Sequence, residues 1–212
     1  ATPMDRPEDV DVNPVTGRIY IACTNNDSRA AESVVKHYRG REVDLGPNPA
    51  NPRALNRYGH IIEIREAGDD HTSTSFSWEV FLLAGDPRGG RLIASLTDAT
   101  SESAYYAGYT NADEVSPIGS PDNLGFDRDG NLWIVTDGEQ PDESNNGCWV
   151  CPTVGPERGR LQRFMSGPVG AEICGCEFTP DGETLFLSIQ HPGSGGSVTE
   201  PISHWPDGPG TQ

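Results

Sequence analysis

The sequence predicts an all-β fold made of β-propeller blades, about two and a half of them, with loop and short-helix insertions. Hydrophobic residues make up only 34% of the 212 residues, whereas glycine (25) and proline (18) are abundant. This composition favours many short strands joined by turns over long helices. In addition, a pattern of an acid, a short apolar strand, a polar turn containing glycine and a second apolar strand occurs three times. Many propeller blades begin with such a unit.

The three copies of this pattern occupy residues 6–21, 120–135 and 172–187. The second copy turns through Asp-Arg-Asp-Gly and the third through Thr-Pro-Asp-Gly. Glycine tolerates the positive φ that tight hairpins need, so both turns are typical of antiparallel strand pairs.

Further strands are predicted outside the repeat. Residues 59–64 and 76–83 provide a third and a fourth strand for the first copy, and residues 159–164 provide a third strand for the second. The third copy has no visible third or fourth strand. The sequence therefore predicts one partial propeller domain, residues 1–212, with blade units at about 5–95, 119–168 and 170–208.

The spacing of the strands is irregular, which indicates insertions within the blades. One insertion spans about residues 25–56 and another about 96–118, and the tail from 193 to 212 is rich in glycine and proline and predicts no regular structure.

Such an array cannot close, because propellers typically need four to eight blades. Its outer flanks are then exposed apolar faces, and we expect a homodimer or a missing N-terminal half to cover them. The residues predicted to be exposed on these flanks are Val10, Val12, Ile19 and Ile21 in the first unit and Leu185 and Leu187 in the last.

The net charge is −17, and Lys36 is the only lysine. Such a surface repels nucleic acid and anionic membranes, and no apolar run approaches the length of a membrane helix. The acidity suits divalent cations or a salty medium, although solubility alone also explains it. The first residues carry no signal peptide, as expected of a mature exported protein or a fragment.

Five cysteines leave three interpretations open. Cys148, Cys151, Cys174 and Cys176 could bind zinc, although their spacing matches no standard zinc ribbon. A disulfide between the two segments is the second interpretation, and free, partly buried thiols are the third and the most favoured.

The repeat places an acid at the start of each inner strand: Glu8, Asp122 and Glu172. In a propeller these positions lie at the mouth of the central channel. Three converging carboxylates repel one another, and a bound cation relieves that repulsion. Calcium accepts six to eight oxygen ligands in flexible geometry, so the pattern predicts a calcium site. The alternative is that each acid caps a turn and faces solvent.

Two further side chains are candidates for the same mouth. Arg6 lies two residues before Glu8 and therefore on the same strand face, where its guanidinium could bind phosphate or simply pair with a carboxylate. His191 follows the last apolar strand, and a capping role is favoured for it.

Several segments together resemble the C-terminal part of PhoX alkaline phosphatases, in the same order over about residues 4–208. They are Arg6-Pro7-Glu8-Asp9, Thr24-Asn25-Asn26, Asn51-Pro52-Arg53, residues 56–63, residues 81–87, residues 120–124, residues 178–182, residues 189–193 and residues 203–208.

The resemblance implies a six-bladed, exported enzyme, periplasmic or secreted, that hydrolyses small phosphomonoesters at a cluster of calcium (Ca²⁺) and iron (Fe³⁺) ions. It implies that Arg6 is the catalytic, phosphate-binding residue and that Glu8, Asp122 and Glu172 are metal ligands. The family's iron-binding cysteine and its twin-arginine export signal belong to a part that is absent from these residues. We therefore expect the chain alone to be weak or inactive.

Two other functions stay open at this stage. A calcium propeller of the lactonase type would hold a single buried ion and no phosphate-binding arginine. A non-catalytic calcium-binding half-propeller would serve only assembly.

Overall fold

The computed structural model describes residues 2–208, which form an all-β protein with several sheets. The strands are β1 (Pro7–Val12), β2 (Ile19–Cys23), β3 (Val35–Tyr38), β4 (Arg41–Asp44), β5 (His60–Glu66), β6 (Phe76–Leu83), β7 (Arg91–Leu92), β8 (Ser103–Tyr106), β9 (Pro121–Phe126), β10 (Leu132–Thr136), β11 (Gly147–Cys151), β12 (Gln162–Ser166), β13 (Glu172–Phe178) and β14 (Leu185–Gln190). The short helical insertions are single 3-10 turns at Ala67–Asp69, Leu96–Asp98 and Ala112–Glu114. Within the described residues no sheet closes on itself, and no helix is long and apolar enough to cross a membrane.

The first sheet has the strand order β1-β2-β5-β6-β8-β7. The four strands that the sequence predicts for this unit, β1, β2, β5 and β6, are confirmed as an antiparallel series. Strands β7 and β8 extend the sheet, although part of this region was predicted only as an insertion. The reason is Tyr106, which pairs with Leu82, is fully buried and donates its hydroxyl to the carbonyl of Gly85.

The second sheet has the order β12-β11-β10-β9. The strand predicted at residues 159–164 overlaps β12, but its predicted place as the third strand is wrong, because β11 is the third strand and β12 is the fourth. Strand β11 is short, and its two cysteines, Cys148 and Cys151, are compatible with zinc binding as well as with a strand. Its Trp149 is fully buried and donates Nε1–H to the carbonyl of Pro117, which explains why this segment lies inside the sheet.

The third sheet contains only β13 and β14, as the repeat predicts, and β3 and β4 form a separate hairpin within the first insertion. Residues 193–208 contain no strand, and the rest of the predicted irregular tail, 209–212, lies outside the described residues.

The sheets pack in chain order, with one core between the first and second and another between the second and third. Tyr20, Phe81 and Leu124 belong to the first core. Trp133 and Ile173 belong to the second. Strand β9 contacts β1 on one side and β13 on the other, so these three first strands are neighbours.

The outer flanks agree with the sequence only at Val10 and Val12 of the first sheet, because Ile19 and Ile21, also predicted to be exposed, are half-buried. Val10 and Val12 are 60% and 46% exposed. Leu185 and Leu187, predicted to be exposed, pack against the second core instead. Strand residues alternate between faces, so Phe186 is the exposed residue of β14, at 62%.

All five cysteines are free thiols, which confirms the favoured interpretation over a disulfide. Cys148 lies in the second core beside Cys176, and burial raises the pKa of both thiols, that of Cys176 to about 12.

Candidate functional site

A residue in the left-handed backbone conformation lies shortly before each candidate acid. Arg6 (φ 48°), Ser120 (φ 53°) and Gly170 (φ 72°) each lie two positions before the acid of their sheet. Arg6 and Ser120 also precede prolines, which further restricts their backbone. Residues other than glycine rarely adopt such φ values, and strained residues of this kind cluster at functional sites.

A β-bulge coincides with two of the acids. The pairing of β1 with β2 shifts between Pro7 and Asp9, which leaves Glu8 as the extra residue. The pairing of β9 with β10 skips Asp122 in the same way. Bulges re-aim a side chain relative to the regular pleat, so both carboxylates leave the normal alternation of their strands. In β13 the shift lies near Gly175 instead of Glu172.

The guanidinium of Arg6 lies between carboxylates of two sheets. Its Nε donates to Glu8 Oε1 at 2.8 Å, and its Nη2 is 3.5 Å from Oδ2 of Asp137, which follows β10. Partial burial opposes ionisation, but Glu8, Asp122 and Asp137 together raise the pKa of Arg6. The side chain is 44% exposed and accessible to a ligand.

A buried polar cluster centred on Asp5 restrains the backbone next to Arg6. Asp5 is fully buried, and its carboxylate accepts from Arg29 Nε at 2.8 Å and from Asn56 Nδ2 at 2.9 Å. Its backbone N–H donates to Asn51 Oδ1. The first insertion, predicted only as a loop, therefore fixes the residue next to Arg6.

Asp122 is the most buried of the three acids, at 8% exposure, and Oγ1 of Thr24 donates to its Oδ1 at 3.1 Å. Burial raises the pKa of Asp122 to about 6, and the negative charges of Asp137, Glu8 and Glu172 add to this effect. The carboxylates whose charges act on Asp122 thus come from all three sheets.

Glu172 belongs to a local network at the third sheet. It accepts from Cys174 Sγ at 3.0 Å and from Gln190 Nε2 at 2.8 Å, and His191 Nε2 lies 3.3 Å from its Oε2. The other ring nitrogen of His191 faces the carbonyl of Gly170, and these two acceptors raise the pKa of His191. Burial and the hydrogen bond to Glu172 raise the pKa of Cys174 to about 12.

Sequence reasoning missed Thr24 and Asp137 as parts of this arrangement. Thr24, Asp137 and His191 share one position, the first residue after the second strand of each repeat. Each donates a hydrogen bond to the carbonyl of the left-handed residue in its own sheet, from a backbone N–H in the first two cases and from Nδ1 in the third. This repeat position is the signal that could have identified them.

The donor set consists of carboxylate oxygens, which are the ligands that calcium prefers. Over residues 2–208, however, no three His, Cys, Asp or Glu side chains are gathered closely enough to hold a metal ion as they stand. Glu8 and Glu172 are instead turned towards local partners. The chemistry of the residues fits a hard cation, and binding would require these side chains to rotate.

Comparisons with known proteins agree with the sequence resemblance. The family described as Alkaline phosphatase PhoX matches residues 1–193. A solved structure, Pseudomonas fluorescens PhoX in complex with vanadate, a transition state analogue, is 37% identical with a TM-score of 0.71. The match covers 98% of this chain and 32% of that one, so the chain spans about a third of the length of its structural relative. A search of curated proteins gave no match.

Proposed function

Because the chain belongs to the alkaline phosphatase PhoX family, we propose that it supplies part of a site that hydrolyses phosphate monoesters. The observation that carries this proposal is the position of Arg6. Its guanidinium lies beside carboxylates of two different sheets, at the edge where the inner strands of three sheets begin. A fork of N–H donors next to a cluster of acids is suited to bind a phosphoryl group together with cations.

The proposed architecture is a six-bladed propeller in which the three packed sheets are consecutive blades. Strands β1, β9 and β13 would be the innermost strands, next to the channel. The remaining blades would come from sequence outside these 212 residues, or a second copy of the chain would cover the open flanks. By its family we place the protein in the periplasm or outside the cell.

Arg6 is the residue that we propose contacts the substrate. Its Nε and Nη2 atoms face carboxylates, whereas Nη1 has no hydrogen-bond partner among the described residues. Nη1 is therefore free to donate to a non-bridging phosphate oxygen. The restrained backbone of Arg6 limits the orientations of the side chain, which reduces the entropy lost when the phosphate binds.

Glu8, Asp122 and Glu172 are the proposed cation ligands, and the structure adds Asp137 as a fourth carboxylate beside them. Bound calcium would neutralise the phosphate oxygens and stabilise charge as the P–O bond breaks. We propose that the Fe³⁺ site is completed by residues outside this chain. Of the thiols in the described part, Cys174 is the one beside these acids, and it donates to Glu172.

Calorimetry with inorganic phosphate, in the presence of calcium, tests the proposal on this chain. We expect Arg6→Ala to weaken phosphate binding about tenfold or more, because a hydrogen bond to a charged group contributes about 1.5–3 kcal/mol. Arg41→Ala, at an exposed position in β4, is the matched control and should bind like the wild type. Equal phosphate affinity in the wild type and Arg6→Ala would contradict the assignment.

Hydrolysis of p-nitrophenyl phosphate tests whether the site is complete. We expect the 212-residue chain alone to hydrolyse it poorly or not at all. Rapid, metal-dependent turnover by the purified chain would show that the site needs nothing further.

A further inference from the structure

Thr24 forms hydrogen bonds to candidate site residues of both the first and the second sheet. It is the first residue after β2 and is fully buried. Its backbone N–H donates to the carbonyl of Arg6 at 3.0 Å, and its hydroxyl donates to Asp122 Oδ1 at 3.1 Å. One residue therefore joins the proposed phosphate ligand of the first sheet to the proposed metal ligand of the second.

The backbone of Thr24 has little freedom to move. Gly59 packs so closely against it that a Cβ at residue 59 would lie 2.1 Å from the carbonyl oxygen of Thr24. The branched Cβ of threonine also restricts its χ1 angle. Both the direction of the hydroxyl and the position of the backbone N–H are consequently fixed by packing.

The hydroxyl of Thr24 donates a hydrogen bond to one of the two carboxylate oxygens of Asp122. Oδ2 of Asp122 has no hydrogen-bond partner among the residues that the structure describes, so it is the oxygen available to a cation. Partners that orient a ligating carboxylate in this way commonly affect metal affinity about 10–100-fold.

We propose that Thr24 is a positioning residue, which presents Asp122 Oδ2 to a calcium ion and sets that ion relative to the guanidinium of Arg6. This inference rests on the proposed function, because it requires that Asp122 binds the cation. It adds a residue that touches neither the substrate nor the metal.

Calcium binding to the full chain, measured by calorimetry, tests the inference without any activity assay. Thr24→Val keeps the size and branching of the side chain but removes the donor, and we expect it to weaken calcium affinity about tenfold. Thr24→Ser keeps the donor and should restore most of the affinity. Thr153→Val is the matched control, since Thr153 is equally buried and donates to the carbonyl of Gly130, away from the acids.

The control separates positioning from stability. Thr153→Val should lower the melting temperature while leaving calcium affinity at the wild-type value. Wild-type calcium affinity in Thr24→Val would overturn the inference. If Thr24→Val does not fold, Thr24→Ala and Thr24→Ser are compared instead, and equal affinities in these two variants would overturn it as well. Absence of calcium binding in the wild type would overturn the metal site itself, and the inference with it.

Discussion

The hydrophobic core between the first two sheets holds more fully buried residues than the core between the second and third. Among the described residues, sixteen buried hydrophobic residues form the first core and five form the second. The hydrogen bonds between the inner strands differ in the same direction, since the one between the first and second sheets is shorter. Asp9 Oδ2 accepts from the N–H of Leu124 at 2.8 Å, whereas Asn123 Oδ1 accepts from the N–H of Gly175 at 3.4 Å.

The turns at the other end of the strands repeat this difference. Buried Asn13 donates to the carbonyl of Gly130 at 2.9 Å and so joins the first two sheets. The second and third sheets are joined there by Arg128, which donates to the carbonyl of Asp181 from an exposed position. Arg6, Glu8 and Asp122 thus belong to a well-packed pair of sheets, whereas Glu172 belongs to the more weakly held third. A cation shared among these acids would stabilise the third sheet most.

The largest expected effect comes from a pair of neighbours on β10. Ile134 faces the first core and Val135 the second, and both are fully buried. Ile134→Ala should destabilise the whole chain by about 2–5 kcal/mol through transfer and cavity terms. Val135→Ala should mainly loosen the third sheet. Hydrogen exchange of β13 and β14, together with the melting temperature, checks this, and equal global losses would contradict the difference between the two contacts.

Acid should weaken the well-packed pair of sheets through His60. Burial lowers the pKa of His60 to about 4, from about 6.5 in an unfolded chain. As the pH falls, the unfolded state therefore binds a proton at His60 before the folded state does. The stability that depends on neutral His60 is complete above pH 6.5 and is lost as the pH falls towards 4. The loss amounts to about 3 kcal/mol. Denaturant unfolding at several pH values should show a shallower acid slope in His60→Asn, and parallel slopes would refute the expectation.

Asp122→Asn should stabilise the chain in the absence of calcium and reduce the stability that calcium adds. The raised pKa of Asp122, about 6, means that ionisation destabilises the folded chain progressively as the pH rises from 4 to 6 and fully above it. At pH 8 with a chelator, we expect the variant to be more stable by about 1–3 kcal/mol. With calcium, the wild type should gain more than the variant through mass action. A melting temperature that calcium leaves unchanged in both proteins would contradict the shared site.

The smallest expected effect concerns the strain at Arg6. Arg6→Gly and Arg6→Ala both remove the ion pair with Glu8, but only glycine adopts a φ of 48° without strain. We expect the glycine variant to be more stable than the alanine variant by about 1 kcal/mol. Thermal melts of the two variants decide it, and a more stable alanine variant would mean that the backbone at Arg6 relaxes once the side chain is removed.

The sequence predicted most strands correctly where apolar residues and a glycine turn recur together. Strands β1, β2, β9, β10, β13 and β14 all follow from the repeat. It failed at β11, because a five-residue segment with two cysteines and a tryptophan resembles a metal motif as much as a strand. It also failed at Leu185 and Leu187, since one face of a strand cannot be identified as the outer one until its neighbour is known.

By itself, the sequence determined the all-β class and the threefold recurrence of an acid before an inner strand, because these depend on local periodicity and composition. It also determined the family, because the chain carries several motifs that resemble those of the family in the same order. Only the tertiary structure decided that Thr24, Asp137 and His191 lie beside those acids, that Asp5 restrains the backbone of Arg6, and which sheets pack tightly. These features depend on contacts between residues far apart in the chain, such as that between Arg6 and Asp137, which are 131 positions apart. Sequence periodicity carries no information about contacts at such a separation, which come about only when the sheets pack against each other.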